Sequence, residues 1–354
     1  MRIAYILSSL ANSGPIVVAL DLVREMLKNQ QDVEVFYFDN KKELEFPCPT
    51  HQISIRNRFP FHKFDIIHCH GLRPDLYIML HKPIFCKTPI CSTIHSYMFE
   101  DHAYKYGKWQ SKITGRLVLA STFRDDKIIL LSRHMQHYYE KYLPTHKLTH
   151  AYNTTTCDKS LPLTNSERDE LLAFKNNDVL LCSVSGLNQR KGLHQIIQAL
   201  PLLPNFRYCI VGDGNKREYL KNLATEFGVA DRVLFVGAKP AGYRYLQYAD
   251  IFVMPSYSEG FPLAMLEAAA MRKVVACSDI PVFREIFSKD EIAMFQLDNP
   301  ESLKDTLLKA QEERETFSTN IYQRFIHEYS PACFYNRHLS IYEQLIANKR
   351  YHIQ

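Results

Sequence analysis

A chain of 354 residues is long for one hydrophobic core and comfortable for two domains of about 150 to 180 residues. Its 46% hydrophobic and 23% charged residues are ordinary for a soluble globular protein, and it has no apolar run of the roughly 18 residues that would span a membrane. The nine cysteines are odd in number, lack paired ligand spacing and sit partly inside apolar runs such as "LLCSV" and "YCIVG". That usage argues against a disulfide framework or a zinc site and fits a reducing cytosol.

"MRIAYILSSL" is too short an apolar stretch for a leader and reads as a first strand. From there, short apolar runs alternate with amphipathic stretches, the pattern of βα repeats on parallel sheets. In the first half the predicted strands are 2–7, 32–38, 65–70, 90–95, 127–132 and 148–152. The predicted helices there are 15–29, 73–81, 108–121 and 133–142. The polar stretch 153–170 reads as a linker. Beyond it, strands are predicted at 178–185, 206–212, 232–237, 250–256, 273–278 and 293–297. Helices near 191–200, 215–227, 240–248, 261–271 and 281–287 lie between them, and two more, near 299–315 and 331–348, close the chain. The expected fold class is therefore α/β, with two Rossmann-like doubly wound parallel-sheet domains over 1–155 and 156–328. A last helix within 329–354 is expected to cross back to the first domain. Ligands of such sheets bind at the carboxyl ends of the strands.

Charge divides unevenly between these halves. Residues 1–155 carry 20 Lys and Arg against 14 Asp and Glu, with 11 of the 15 histidines. A basic first half suggests an acidic partner such as a phosphate-bearing substrate or an anionic membrane face, although a modest imbalance with no partner is equally consistent.

One stretch stands apart, "SEGFPLAMLEAAAM" at 258–271. Pro262 suits the first turn of a helix, and the helix is apolar on every face except at Glu267. A carboxylate placed there needs donors, since leaving it unpaired costs several kcal/mol. From Pro262 to Glu267 the axis advances roughly 7 to 8 Å. A phosphate at the helix tip would take the amides near Leu263 and Ala264, Glu267 would reach ribose hydroxyls, and Glu259 would face the group beyond the far phosphate. The plainer alternative is that Glu267 pairs with a buried cation and Glu259 is a solvated turn acid. The spacing of the two acids alone does not decide between them.

The whole stretch "PSYSEGFPLAMLEAAAMRKVVACSDIPVFREI" resembles the C-terminal signature of the GT4-type retaining glycosyltransferases, which have the GT-B fold. The resemblance runs in order through "VSGLNQRKGLHQIIQAL", "YCIVGDGNKREYLKNLATEFGVADRVLFVGA" and "YLQYADIFVMPSYSEGFP". It continues more loosely through "MRIAYILSSLANSGPIVVALDLVREM", "DIIHCHG", "STIH", "ILLSRHM" and "AYN" in the first half. It implies that Glu259 contacts donor-sugar hydroxyls, that Glu267 binds the nucleotide ribose, and that the backbone of Gly260, Phe261, Pro262 and Leu263 holds sugar and phosphate oxygens. It matches Lys191 to a lysine that neutralises the donor diphosphate, His95 to a histidine lining the sugar pocket, and Gly14 to a phosphate-approaching loop after strand one. Gly237 would permit close approach of the base.

Two departures stand out. Gly186 occupies the position where the family carries an arginine, which leaves Arg190 as a candidate second cation. Ser13-Gly14-Pro15 replaces the usual glycine pair. His68 and His70 alternate on one strand, but the matching family strand has no metal role.

The resemblance implies a metal-independent, retaining transfer from a nucleotide-diphosphate sugar to an acceptor hydroxyl, with no cofactor. The acceptor would be a glycan or lipid-linked glycan in capsule or lipopolysaccharide assembly. The expected setting is cytoplasmic, with peripheral contact to an anionic membrane through "HAYKYGKWQSK" at 102–112, and no nucleic acid. The alternative is a non-catalytic relative that binds sugar nucleotide or scaffolds a partner.

Overall fold

The computed structural model describes residues 1–351, except for the side chains of His102, Lys105, Tyr106, Lys108, Arg350 and Tyr351. Two compact units divide the chain. One comprises Met1–Thr155 with the chain from Tyr329 onward, and the other Thr156–Glu328.

The first unit begins with β1 (Arg2–Leu10) and α1 (Gly14–Lys28), then β2 (Asp32–Lys42), β3 (Thr50–Gln52), β4 (Ile66–His70) and α2 (Leu72–His81). It continues with β5 (Ile90–Ile94), α3 (Met98–Tyr106), α4 (Lys108–Ser121), β6 (Lys127–Leu130), α5 (Arg133–Tyr139) and β7 (Leu148–His150). The seven strands lie in the order β3-β2-β1-β4-β5-β6-β7, all parallel. Every residue of β4 and β5 is buried, as expected of parallel strands covered on both faces.

The second unit runs α6 (Asn165–Lys175), β8 (Val179–Val184), α7 (His194–Ala199), β9 (Phe206–Val211), α8 (Arg217–Glu226) and β10 (Val233–Gly237). There follow β11 (Ile251–Met254), α9 (Leu263–Ala270), β12 (Val274–Ser278), α10 (Pro281–Ile286), β13 (Ala293–Phe295), α11 (Pro300–Glu312) and α12 (Arg314–Arg324). Its sheet has the order β10-β9-β8-β11-β12-β13. A core rich in Leu, Ile, Val and Phe side chains packs the sheet against α7, α8, α11 and α12. After a π-turn at Phe325–Tyr329, α13 (Pro331–Tyr351) belongs to the first unit, where the Tyr342 hydroxyl lies 3.1 Å from that of Tyr5 in β1.

The α/β class with two doubly wound parallel sheets is the architecture found. Several expectations need correcting in detail. The stretch 153–170 is not linker throughout, because Thr164 accepts from the Glu167 amide while the Glu167 side chain returns to Thr164. This capping box starts α6 at Asn165. The helix expected at 240–248 is a 3-10 turn over Gly242–Gln247. The helix expected at 299–315 is two, meeting at Glu313. An unforeseen helix, α3, opens where the Tyr97 amide donates to the Asp101 carboxylate 3.0 Å away. Among the described residues no helix is long and apolar enough to cross a membrane.

Candidate functional site

In the second sheet the chain steps outward from β8 in one direction and from β11 in the other, so the strand order reverses between them. Loops leaving neighbouring strands at such a point diverge to opposite faces and leave a crevice at the carboxyl ends. Here the loop after β8 (185–193) meets the loop after β11 (255–262). Tyr257 N–H donates to Arg190 O at 2.9 Å. Gln195 Nε2 donates to Pro255 O at 2.9 Å and to Gly192 O at 3.3 Å.

Between these loops a buried carboxylate holds two cations. Lys191 Nζ is 2.6 Å from Glu259 Oε1, and Arg190 Nη1 is 3.1 Å from Glu259 Oε2. Arg190 also donates to Ser258 O at 2.5 Å, and Ser256 Oγ donates to Glu259 Oε1 at 2.7 Å. Glu259 is only 5% exposed. Burial by itself raises its pKa, but the two cations, the hydrogen bond from Lys191 and that from Ser256 together override burial and bring it down to about 2. The carboxyl is therefore ionised at any physiological pH. Two cations thus meet on one carboxylate. It is not the solvated turn acid that sequence reasoning left open.

The site continues directly into α9. Gly260, Phe261 and Pro262 are buried, and Pro262 stands at the N-cap, one position earlier than expected. The first amides to find carbonyls are those of Met265 and Leu266, both on Pro262 O. The amides of Leu263 and Ala264 lie ahead of them, at the end where a helix has donors without intrahelical acceptors. The helix is not buried all round, as its composition suggested. Leu263, Ala264, Glu267 and Met271 are half-buried, and their spacing puts them along one stripe. Glu267 thus shares a face with the open helix tip.

Two further loops frame the crevice, and the glycines of the first, Gly212 and Gly214, are residues that sequence reasoning passed over. At Gly212, with φ of 149°, a Cβ would stand 1.8 Å from Ser185 O; at Gly214 it would stand 2.3 Å from Leu187 O. Only glycine lets the "GDG" loop lie against the backbone of 185–187, which it joins through Leu187 N–H to Asp213 O at 2.9 Å. The repeated glycine in "VGDG" was the available signal. Gly237 ends β10 in the left-handed region, and its amide oxygen accepts from Gly212 N–H at 2.8 Å. Nearby Arg217 donates to Phe235 O and pairs with Asp213.

Gly192 was passed over as well. Its φ is 63°, and a Cβ there would lie 2.1 Å from Pro255 O. Its close approach fixes the Lys191 backbone against the β11 loop. Gly192→Ala is expected to cost about 2–4 kcal/mol of stability and to displace Lys191. Denaturant unfolding checks the first effect and nucleotide affinity the second.

His95 and Gly14 belong to the first unit. Gly14 opens α1, and a Cβ there would meet no atom within 4 Å, so close packing does not explain a glycine at this position. His95 follows β5, with Nε2 3.0 Å from His70 Nδ1. Burial first, and His338 second, hold its pKa down to about 3. His68 Nδ1 lies 2.6 Å from the Tyr342 hydroxyl and its Nε2 2.7 Å from Thr93 Oγ1. These histidines are ring-packed and largely buried, and among the described residues no three His, Cys, Asp or Glu side chains gather so as to hold a metal ion.

Family comparison gives two matches, the model described as glycosyl transferases group 1 over residues 165–324 and that described as glycosyltransferase family 4 over residues 13–159. Over 352 residues the chain is 31% identical to the O-antigen biosynthesis glycosyltransferase WclY of Escherichia coli, covering 98% of this chain and 99% of that protein. Among solved structures, sucrose-phosphate synthase from Thermosynechococcus elongatus superposes with a TM-score of 0.82 at 17% identity, covering 98% and 100% of the two chains. HepE from Anabaena, in complex with UDP and glucose, gives 0.81 at 16% identity, covering 97% and 100%. At such identities the structural likeness speaks to the fold.

Proposed function

This chain belongs to glycosyltransferase family 4 and has the GT-B fold, and from that premise we propose that it moves a sugar from a nucleotide-diphosphate donor, bound at the Glu259 crevice, to a hydroxyl of a surface-polysaccharide glycan. The observation that carries this reading is the convergence of Lys191 and Arg190 on buried Glu259 beside the tip of α9. The reaction creates negative charge on the leaving diphosphate. Fixed cations and a helix N-terminus stabilise that charge without reorganising at the moment of bond breaking. Lys191 and Arg190 supply the charge, and Glu259 with Ser256 keeps Lys191 in place. On this reading the site's own cations do what a divalent metal does elsewhere, and the transfer is metal-independent.

Glu259 has a second role in the proposal, accepting hydroxyls of the donor sugar, while Glu267 takes the ribose and the amides at Gly260–Leu263 hold sugar and phosphate oxygens. The acceptor hydroxyl approaches the face the diphosphate leaves, and a diphosphate oxygen takes its proton, so the anomeric configuration is retained and no protein nucleophile is needed. The O-antigen biosynthesis named for WclY supports a role in assembly of an O-antigen-like glycan, which the proposal sets on the cytoplasmic side, and the UDP seen in HepE makes uridine nucleotides the first donors to try. The test is a thermal-shift panel of nucleotide sugars with EDTA present, followed by NMR of the product's anomeric coupling. A donor-specific shift that survives EDTA and an anomer matching the donor's are expected; dependence on added metal or an inverted product would overturn the respective part.

Gly186, where family members have an arginine, offers a direct probe. A Cβ there meets only Asn188 Nδ2 at 3.7 Å and Asp213 O at 4.0 Å. Gly186→Arg is therefore expected to fold with stability changed by less than about 0.5 kcal/mol. Its added charge-assisted contact should tighten nucleoside-diphosphate affinity about tenfold, read by calorimetry.

A further inference from the structure

The loop that carries Glu259 is fastened by side chains that the transfer reading leaves unused. Tyr257 gives its amide to Arg190 O at 2.9 Å and its hydroxyl to the carboxylate of Asp298. The same hydroxyl lies 3.2 Å from His194 Nε2, and the two rings stack with centroids 6.0 Å apart. Because the one hydroxyl proton goes to Asp298, the contact with His194 needs an N–H at Nε2, so the imidazole donates. Buried Gln195 completes the frame. Its Nε2 donates to Gly192 O and Pro255 O, and its Oε1 accepts from Asp298 N–H at 2.8 Å. Both ends of this amide are thereby committed to loops that border the crevice.

Asp298 arrives from elsewhere in the sheet. It follows β13, which lies two strands from β11, in the turn that leads into α11. Its φ is 55°, in the left-handed region where glycine is unstrained and a side chain is not. A turn that needed only this backbone would be served better by glycine. The cap of α11 does not call for Asp298 either, since Asn299 accepts from Ser302 N–H. What the residue does supply is a carboxylate for Tyr257 and an amide for Gln195. A strained residue whose polar groups are both spent on a functional crevice points to a role there.

We propose that Asp298 and Tyr257 form a positioning clamp for the cations that meet the donor diphosphate. The inference rests on the reading of the Glu259 crevice as the donor site and adds two positioning residues to it; neither touches the donor. They act through Arg190, whose carbonyl is held by Tyr257 N–H and whose guanidinium is held by Ser258 O and Glu259. Lys191 is the next residue and shares Glu259. Releasing the Tyr257 hydroxyl loosens the loop on which both cations depend, and charge that must reorganise stabilises a leaving group less.

Three substitutions test the clamp. Tyr257→Phe removes the hydroxyl and keeps the ring. Asp298→Gly removes the carboxylate and relieves the backbone, and Asp298→Asn keeps an acceptor for the hydroxyl. Asp298 is exposed, so its variants disturb no core and should keep the thermal midpoint. Hydrogen exchange in the free protein is read at the position-257 amide, which is bound to Arg190 O. Tyr257→Phe and Asp298→Gly should speed exchange there about tenfold, the effect of losing one hydrogen bond to a charged group. Asp298→Asn should stay close to the unsubstituted protein. Calorimetry with UDP, GDP and ADP, and with the free nucleosides, gives the functional readout. The first two variants should weaken diphosphate binding about five- to tenfold with nucleoside binding unchanged, and Asp298→Asn should restore it. Lys191→Ala is the control. If it weakens diphosphate binding and the two clamp variants do not, the clamp alone is overturned, even where exchange quickens. Unchanged exchange in both variants overturns it as well. If no diphosphate binds at all, the donor-site reading fails and takes the clamp with it.

Discussion

Lys191→Ala is expected to lower kcat/KM by about 10²- to 10³-fold, the cost of removing one preorganised group that faces developing negative charge. Folding should survive, because Arg190 and Ser256 still hold Glu259. The loss belongs to the diphosphate, so calorimetry with a nucleoside diphosphate should show it while the free nucleoside binds as before. Glu259→Gln separates the partners. It leaves two adjacent cations without their shared counter-charge at a site where Lys191 and Arg190 are only 15% and 23% exposed. Breaking a buried pair from one side is costly, and about 2–4 kcal/mol of lost stability is expected here, discounted for that partial exposure. Unchanged diphosphate affinity in Lys191→Ala would remove the basis for metal-independent transfer.

The buried histidines of the first unit should each lose stability in mild acid. His68, His70 and His338 are buried, and burial is the first cause holding the pKa of each below the ordinary value, with neighbouring histidines acting the same way on His68 and His70 and Arg337 on His338. His338 is brought to about 4. The groups that touch these rings are hydroxyls, a carbonyl and other rings: Tyr342 and Thr93 on His68, His95 on His70, and Phe334 O on His338. The unfolded chain binds protons on these side chains below about pH 6.5 while the folded chain rejects them. Stability is then full above that pH and falls as the pH drops. Asp75 and Asp125, buried in the same unit, act in the opposite sense, because burial raises the pKa of each, Asp75 to about 7, and the folded chain then gains protons there as the pH falls. Denaturant unfolding between pH 7 and 5 therefore compares the protein with His338→Gln, which should lower the number of protons taken up on unfolding by about one; an identical pH profile in the two would be inconsistent with a neutral buried His338. Glu259 works in a separate window. Its depressed pKa contributes stability above about pH 4.3, lost only as the pH falls toward about 2.

Legibility from sequence differed between elements for physical reasons. The buried strands β4, β5, β8, β9, β11 and β12 were readable because a parallel strand covered on both faces is a short continuous apolar run. Helix α3 was not, because its start depends on the Asp101 carboxylate reaching the Tyr97 amide. Helix α6 hid inside a polar stretch although Thr164 and Glu167 stood at capping-box spacing. Thr50–Gln52 is an exposed edge strand of three residues, too short to show a period.

The sequence by itself determined two doubly wound parallel sheets, the acids Glu259 and Glu267 eight residues apart around a helix start, the cations Arg190 and Lys191 in another loop, and the absence of an arginine at Gly186. Only the tertiary structure decided that Arg190 and Lys191 share Glu259, that Gly192, Gly212 and Gly214 are required by backbone contacts, and that α9 is open along the stripe holding Glu267. The reason is that patterns of apolarity report burial along a single segment. Ion pairs and backbone contacts between loops some 70 residues apart depend on the strand order that brings β8 beside β11.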